Sequence, residues 1–167
     1  LTASHNPANY NGLKIVFRKT SLAANQIQNI RARIDSSQLH FGAGDYRQEP
    51  IVDRYIEEVG QRLSLQRRMK IVIDCGHAVP ATVAPQLFER LGCDVIPLYC
   101  DIDGAFPDHH PDPTASSNLT ALRQRVLAEK ADLGIAFDGD GDRVGVVTDT
   151  GEVIAADRLL MLLIQSI

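Results

Sequence analysis

The chain carries no excess of positive charge, no long apolar run and no paired cysteines, and each absence removes a class of function. Its 17 Lys and Arg stand against 21 Asp and Glu, for a formal net charge of −4 over 167 residues. Nucleic-acid binders instead show a basic patch or stripe, so nucleic acid is not expected as a partner. The apolar stretch near the C-terminus, Leu159 to Ile164, falls far short of the ~18 residues that mark a membrane span, so no membrane partner is expected either. Three cysteines, Cys75, Cys93 and Cys100, form no CxxC pair. The odd count and the absence of a signal peptide point to reduced thiols in a cytoplasmic protein, acting as small buried hydrophobes on or beside strands. No internal repeat or low-complexity segment is present. Nor does a methionine open the chain: it begins at Leu1 inside LTASHNP and ends at Ile167 inside an apolar helical pattern. An internal fragment of a longer protein is expected.

What is present has the grammar of an α/β fold. Asn11-Gly12 is a hairpin-turn signal, and Leu13 to Phe17 after it reads as a strand. Leu22 to Ile34 has apolar residues at helical spacing, Phe41 to Asp45 reads as a loop, and Ile51 to Leu65 as a second amphipathic helix. From Lys70 strands and helices alternate: strand Ile71 to Ile73, helix Thr82 to Leu91, strand Asp94 to Leu98, a loop Asp101 to Ser117, helix Leu119 to Lys130, strand Leu133 to Phe137. Val144 to Thr148 and Glu152 to Ala155 form a hairpin about Asp149-Thr150-Gly151. This order predicts a mixed, largely parallel sheet layered with helices. Seams are expected at Asp45 to Pro50 and near Ala155-Ala156.

Phe137-Asp138-Gly139-Asp140-Gly141-Asp142-Arg143 sets three carboxylates at alternate positions with glycine between them. Like charges this close call for compensation. In a parallel sheet ligands gather at the carboxyl ends of strands, where Phe137 places this loop. Glycines at 139 and 141 open backbone torsions closed to other residues. Hard oxygen ligands in this number suit Mg2+ or Mn2+, and Ca2+ also fits. An EF-hand loop opens D-x-D-x-D too, but needs Gly at its sixth position; Arg143 stands there, and Asp149 at the twelfth. A solvated, idle acidic turn is the competing reading. Arg143 suits bidentate contact with a phosphate, or serves only to neutralise the loop.

At the other end, Thr2-Ala3-Ser4-His5-Asn6-Pro7 places a hydroxyl, an imidazole and an amide ahead of a proline that disfavours helix at Asn6. Taken alone, Ser4 could be a turn residue and nothing more. Together, TASHNPANYNGLK and, after an α/β stretch, FDGDGDR resemble the α-D-phosphohexomutase superfamily, and most closely its bacterial phosphomannomutase/phosphoglucomutase group. The resemblance runs over essentially all 167 residues, through LYCDIDGAFPDHHPDP to DRLLML.

The resemblance implies that Ser4 is carried as phosphoserine and completes the coordination of a Mg2+ held by Asp138, Asp140 and Asp142. It implies catalytic parts for Ser4, His5, Lys14 and Arg143, with Lys14 or His5 moving a proton to or from the sugar hydroxyl. The implied reaction moves phosphate between O1 and O6 of a hexose, mannose or glucose, through a 1,6-bisphosphate that also serves as activator. Residues 1–49 would then end a first domain, 50–155 form the second and 156–167 begin the third. A monomer is favoured, and the 167 residues alone are expected to turn over little or nothing. Two alternatives stand beside this: phosphoglucosamine mutase, whose serine loop reads closer to SHNP..DNGIKFF, and a noncatalytic metal-binding α/β module. One departure is visible. Asp74-Cys75-Gly76-His77-Ala78 has His-Ala where the family's DCGNG-type turn has Asn-Gly, which predicts altered local geometry there. His77 is expected to be a plain loop histidine, and His109 and His110 part of a rigid interdomain loop.

Overall fold

The computed structural model describes residues 4, 6, 7 and 9–165. They fall into two compact units, one made of residues 11–50 and the other of 51–165 together with the described residues of segment 4–10.

The smaller unit contains β1 (Val16–Phe17), β2 (Thr20–Ser21) and helix α1 (Ala24–Asp35). β1 and β2 pair antiparallel, Val16 opposite Ser21 and Phe17 opposite Thr20. The hairpin turn therefore falls at Arg18-Lys19 and not at Asn11-Gly12. Both turn residues take positive φ, 49° and 64°, the twist that a two-residue loop between right-handed strands requires. Arg18 lays its guanidinium 5.3 Å from the centre of the Phe17 ring. Residues 11–14 are outside any strand. Helix α1 starts and ends within two residues of its periodicity, and none of its residues is buried.

The larger unit is a five-stranded sheet between helices. α2 (Val52–Arg62) precedes β3 (Lys70–Asp74), α3 (Ala84–Arg90), β4 (Asp94–Leu98), α4 (Thr120–Glu129), β5 (Leu133–Phe137), β6 (Val144–Thr148), β7 (Val153–Ile154) and α5 (Ala156–Ile164). The strand order is β4-β3-β5-β6-β7. β4, β3 and β5 are parallel, while β6 and β7 add antiparallel, so the sheet is mixed, as its sequence predicts. Short 3-10 turns, Val79–Thr82 and Ser116–Leu119, lead into α3 and α4.

Alternation along β3 builds the two faces. Val72 joins Leu119, Leu122, Val126, Ala131, Ala136 and Val147 on one side. Ile71 and Ile73 join Cys75, Ala84 and Cys93 on the other. The α4 layer lies close: a Cβ built on Gly134 of β5 would come within 2.7 Å of Val126 Cγ2, so only glycine fits under that helix. Cys75 and Cys93 are buried and Cys100 half-buried, as small hydrophobes should be. The histidine-containing loop between β4 and α4 lies inside this unit, so it is not an interdomain connection. Among the described residues no helix is long and apolar enough to cross a membrane.

Candidate metal and phosphate centre

The loop 138–143 closes the β5–β6 hairpin, whose last ladder pair is Phe137 with Val144. At its base Asp138 N–H donates to the Arg143 carbonyl at 3.3 Å, and Gly141 N–H donates to the Asp138 carbonyl at 3.2 Å. Asp138 is fully buried. Its Oδ1 accepts the backbone N–H of Arg143 at 3.1 Å, which turns the side chain inward and leaves Oδ2 facing the site. Asp140 is half-buried and Asp142 exposed, and one carboxylate oxygen from each of the three lies within 4.8 Å of the others. Two unit negative charges at such a separation repel by about 3 kcal/mol at an effective dielectric of ~20. Hard, anionic and convergent, the donor set fits a small divalent cation. Among the described residues it is the only such group of three.

The serine from the far end of the chain is at the same place. Ser4 Oγ donates to Asp138 Oδ2 at 3.1 Å, across 134 positions of sequence. Ser4 takes a positive φ of 52°, and a turn in which Tyr10 N–H donates to the Pro7 carbonyl at 2.9 Å holds the segment behind it.

The two loop glycines serve different ends. Gly141 has φ +75° and abuts Pro80, whose Cγ would be 3.2 Å from a Cβ at that position. Gly139 takes no positive φ; a Cβ there would come within 2.1 Å of the Ser4 carbonyl oxygen. Close approach of the serine segment, not a special torsion, is what demands glycine at 139.

The structure thus brings together Ser4, Asp138, Asp140 and Asp142, with the exposed Arg143 following directly. Lys14 belongs to the smaller unit and is exposed. His5 lies outside the described residues.

Sequence patterns missed a second polar cluster, at the carboxyl ends of β3 and β4. Asp74 is fully buried. Its Oδ1 accepts the Gly76 N–H at 2.9 Å, and His109 Nε2 lies 3.2 and 3.0 Å from its two oxygens. The bond to Asp74 raises the His109 pKa above that of an ordinary histidine, and outweighs burial, which acts the other way. His77 sits 2.8 Å from the Asp101 carbonyl through Nδ1 and 2.7 Å from Asp108 Oδ2 through Nε2. Burial disfavours its charged form, but the Asp108 and Asp101 bonds prevail and its pKa is raised. The Tyr99 ring separates the two imidazoles, 5.2 Å from each. His77 is thus a loop histidine with both ring nitrogens engaged. The expected distortion at Ala78 is absent: Ala78 is extended, with φ −110°. The positive φ falls on Gly76 and His77, 52° and 59°. One signal could have found the first pair, an Asp ending a strand two residues before a glycine, which is an Asx-turn pattern.

Comparison with known proteins places these features. A family model described as "Phosphoglucomutase/phosphomannomutase, alpha/beta/alpha domain II" matches residues 53–151, and the corresponding "alpha/beta/alpha domain I" model matches residues 1–41. A phosphomannomutase/phosphoglucomutase of Pseudomonas aeruginosa is 53% identical over 167 residues, which is 100% of this chain and 36% of that protein. A phosphoglucomutase of Neisseria meningitidis is 40% identical, covering 100% of this chain and 37% of its own length. Among solved structures, a phosphoglucomutase/phosphomannomutase family protein from Burkholderia thailandensis superposes with a TM-score of 0.91 at 44% identity, over 99% of this chain and 36% of that one. The chain thus spans little more than a third of the relatives it matches.

Proposed function

Because the chain belongs to the phosphoglucomutase/phosphomannomutase family, we propose that the protein carrying it is a phosphohexomutase. It interconverts the 1-phosphate and 6-phosphate of a hexose, mannose or glucose, with Ser4 as phosphate carrier. The observation that carries this reading is the 3.1 Å bond from Ser4 Oγ to Asp138 in the cluster of three carboxylates. An idle acidic turn has no need of a serine hydroxyl delivered from 134 residues away.

Phosphoryl transfer is mostly positioning and charge stabilisation, and the residues divide along those lines. Asp138, Asp140 and Asp142 would hold Mg2+, which would supply positive charge against the phosphate on Ser4. Asp138, locked by the Arg143 N–H, orients Ser4 Oγ. In the forward half-reaction a sugar hydroxyl oxygen bonds to phosphorus as the bond to Ser4 Oγ breaks. The hydroxyl proton passes to a base, for which Lys14 and His5 are the candidates. The resulting 1,6-bisphosphate turns over, its opposite phosphate returns to Ser4, and the other hydroxyl is reprotonated. Free glucose or mannose 1,6-bisphosphate primes the serine in the same way. The exposed guanidinium of Arg143 takes the phosphate by a bidentate contact.

Support for the domain assignment comes from the matched spans 1–41 and 53–151, which lie within residues 1–49 and 50–155 of the first and second domains; residues 156–167 would begin a third. A cytoplasmic monomer acting on phosphorylated sugars completes the proposal, since charged substrates of this kind do not cross a bilayer unaided.

The test is peptide mapping by mass spectrometry of the whole protein after glucose 1,6-bisphosphate and Mg2+. One phosphate is expected on Ser4, and none in Asp140→Ala. A protein that binds metal but never carries phosphate at Ser4 would instead be a noncatalytic metal-binding module.

A further inference from the structure

The acidic loop is backed by a neighbouring turn. Gly141 abuts Pro80, which is buried in the 3-10 turn Val79–Thr82. Val79, Pro80, Asp140 and Gly141 also share the wall of a cavity of about 400 Å3.

Pro80 in turn hangs from the segment 75–78, and His77 is the fixed point of that segment. Its φ of 59° is one that a β-carbon disfavours, yet four hydrogen bonds hold it. Its N–H donates to the Tyr99 carbonyl at 2.8 Å, and its own carbonyl accepts the Asp103 N–H at 3.0 Å. Nδ1 meets the Asp101 carbonyl and Nε2 the Asp108 carboxylate. Both ring nitrogens thus face acceptors, which suits a doubly protonated imidazolium. From there a run of turns leads to Pro80: Ala78 N–H donates to Cys75, Ala81 N–H to Ala78 and Val83 N–H to Pro80, at 2.9, 3.1 and 3.0 Å.

We propose that His77 is a positioning residue for the metal loop: it pins the turn whose Pro80 backs Gly141, and so sets how closely Asp138, Asp140 and Asp142 converge. The inference rests on the metal reading of that loop and extends it to a residue that touches neither metal nor sugar. It also gives the His-Ala departure at 77–78 a physical meaning. An imidazole with two acceptor partners takes the left-handed position and anchors it from the β4 side.

Mn2+ binding to the whole protein, followed by electron paramagnetic resonance with Mn2+ as the only added ligand, tests this alongside thermal unfolding. Wild type should bind Mn2+ and Asp140→Ala should not; failure at that step removes the metal reading itself, and this inference with it. His77→Ala should stay folded and bind about 10-fold more weakly, the order seen when a residue supporting metal ligands is lost. His77→Asn, which accepts positive φ but loses the imidazole bonds, should fall between His77→Ala and wild type. In a Pro80→Ala background, His77→Ala should add no further loss, because the two act through one contact. Should His77→Ala fail to fold, Asp108→Ala, which removes the acceptor at a side chain 45% exposed, must weaken Mn2+ binding in the same direction. Wild-type Mn2+ affinity in folded His77→Ala or in Asp108→Ala would overturn the proposal.

Discussion

The two compact units use similar residues and differ in what they bury. In the larger unit the apolar residues of β3, β5, β6 and α4 close on one another, and Val72, Leu122, Val126 and Val147 are wholly inaccessible. In the smaller unit no residue among 11–50 is buried, and Phe41 is 91% exposed. Its helix α1 has the apolar spacing of a packed helix, yet buries none of its residues. A periodic pattern is enough to predict a helix, but only a second apolar surface turns the pattern into stability. The centre described above sits wholly on the larger unit, at the ends of strands held in register, where a few tenths of an ångström can be maintained.

Core truncation should separate the units most widely. Leu122→Ala removes a side chain packed under Gly134 and should cost about 3 kcal/mol in denaturant unfolding. Ile27→Ala on α1, 41% exposed, should change stability by less than about 0.5 kcal/mol. Equal losses would mean that α1 has a buried partner after all.

Next comes Gly139→Ala, which forces a methyl against the Ser4 carbonyl. Overpacking of this kind should cost about 2 kcal/mol, and it should weaken Mn2+ binding as the loop shifts.

A smaller effect should follow pH. The His109 pKa is raised in the folded state, so the pair with Asp74 contributes fully below the unfolded histidine value of about 6.5 and is lost as pH rises through the folded value. Between pH 6 and pH 9 the wild type should therefore lose more stability than His109→Gln, measured by urea midpoint. Parallel pH profiles would remove the pair from the account.

The smallest change is expected from Gly44→Ala in the smaller unit. No atom lies within 4 Å of the new methyl and the backbone torsion is not left-handed, so the effect should be neutral to about 0.5 kcal/mol stabilising, through the unfolded chain.

Much of this organisation was legible in the residues, and its failures have a pattern. β5 and β6 fall on their predicted bounds because buried strands read as short apolar runs between turn signals, and β4, edge and half-buried, on its bounds too. The hairpin moved from Asn11-Gly12 to Arg18-Lys19 because pairing partners, and not turn propensity alone, decide where a chain reverses. The 3-10 turns ahead of α3 and α4 shortened both helices at their starts, a boundary that periodicity does not mark. In the site, the three aspartates were visible from spacing. The partnership of Ser4 with Asp138 was not, since a contact across 134 positions leaves no local pattern; only the resemblance to phosphohexomutases pointed to it. Asp74–His109 and His77–Asp108 escaped for the same reason, and the requirement for glycine at 139 proved to be one of space and not of torsion.

The central proposal is that Ser4 carries phosphate beside a metal that Asp138, Asp140 and Asp142 would hold. Phosphorus NMR of the phosphorylated whole protein, titrated with Mn2+, addresses it most directly, because paramagnetic broadening falls off steeply with distance. The account predicts that the phosphoserine resonance broadens away as Mn2+ is added, and stays sharp when diamagnetic Mg2+ is added in its place. A sharp phosphoserine signal in the presence of bound Mn2+ would contradict it.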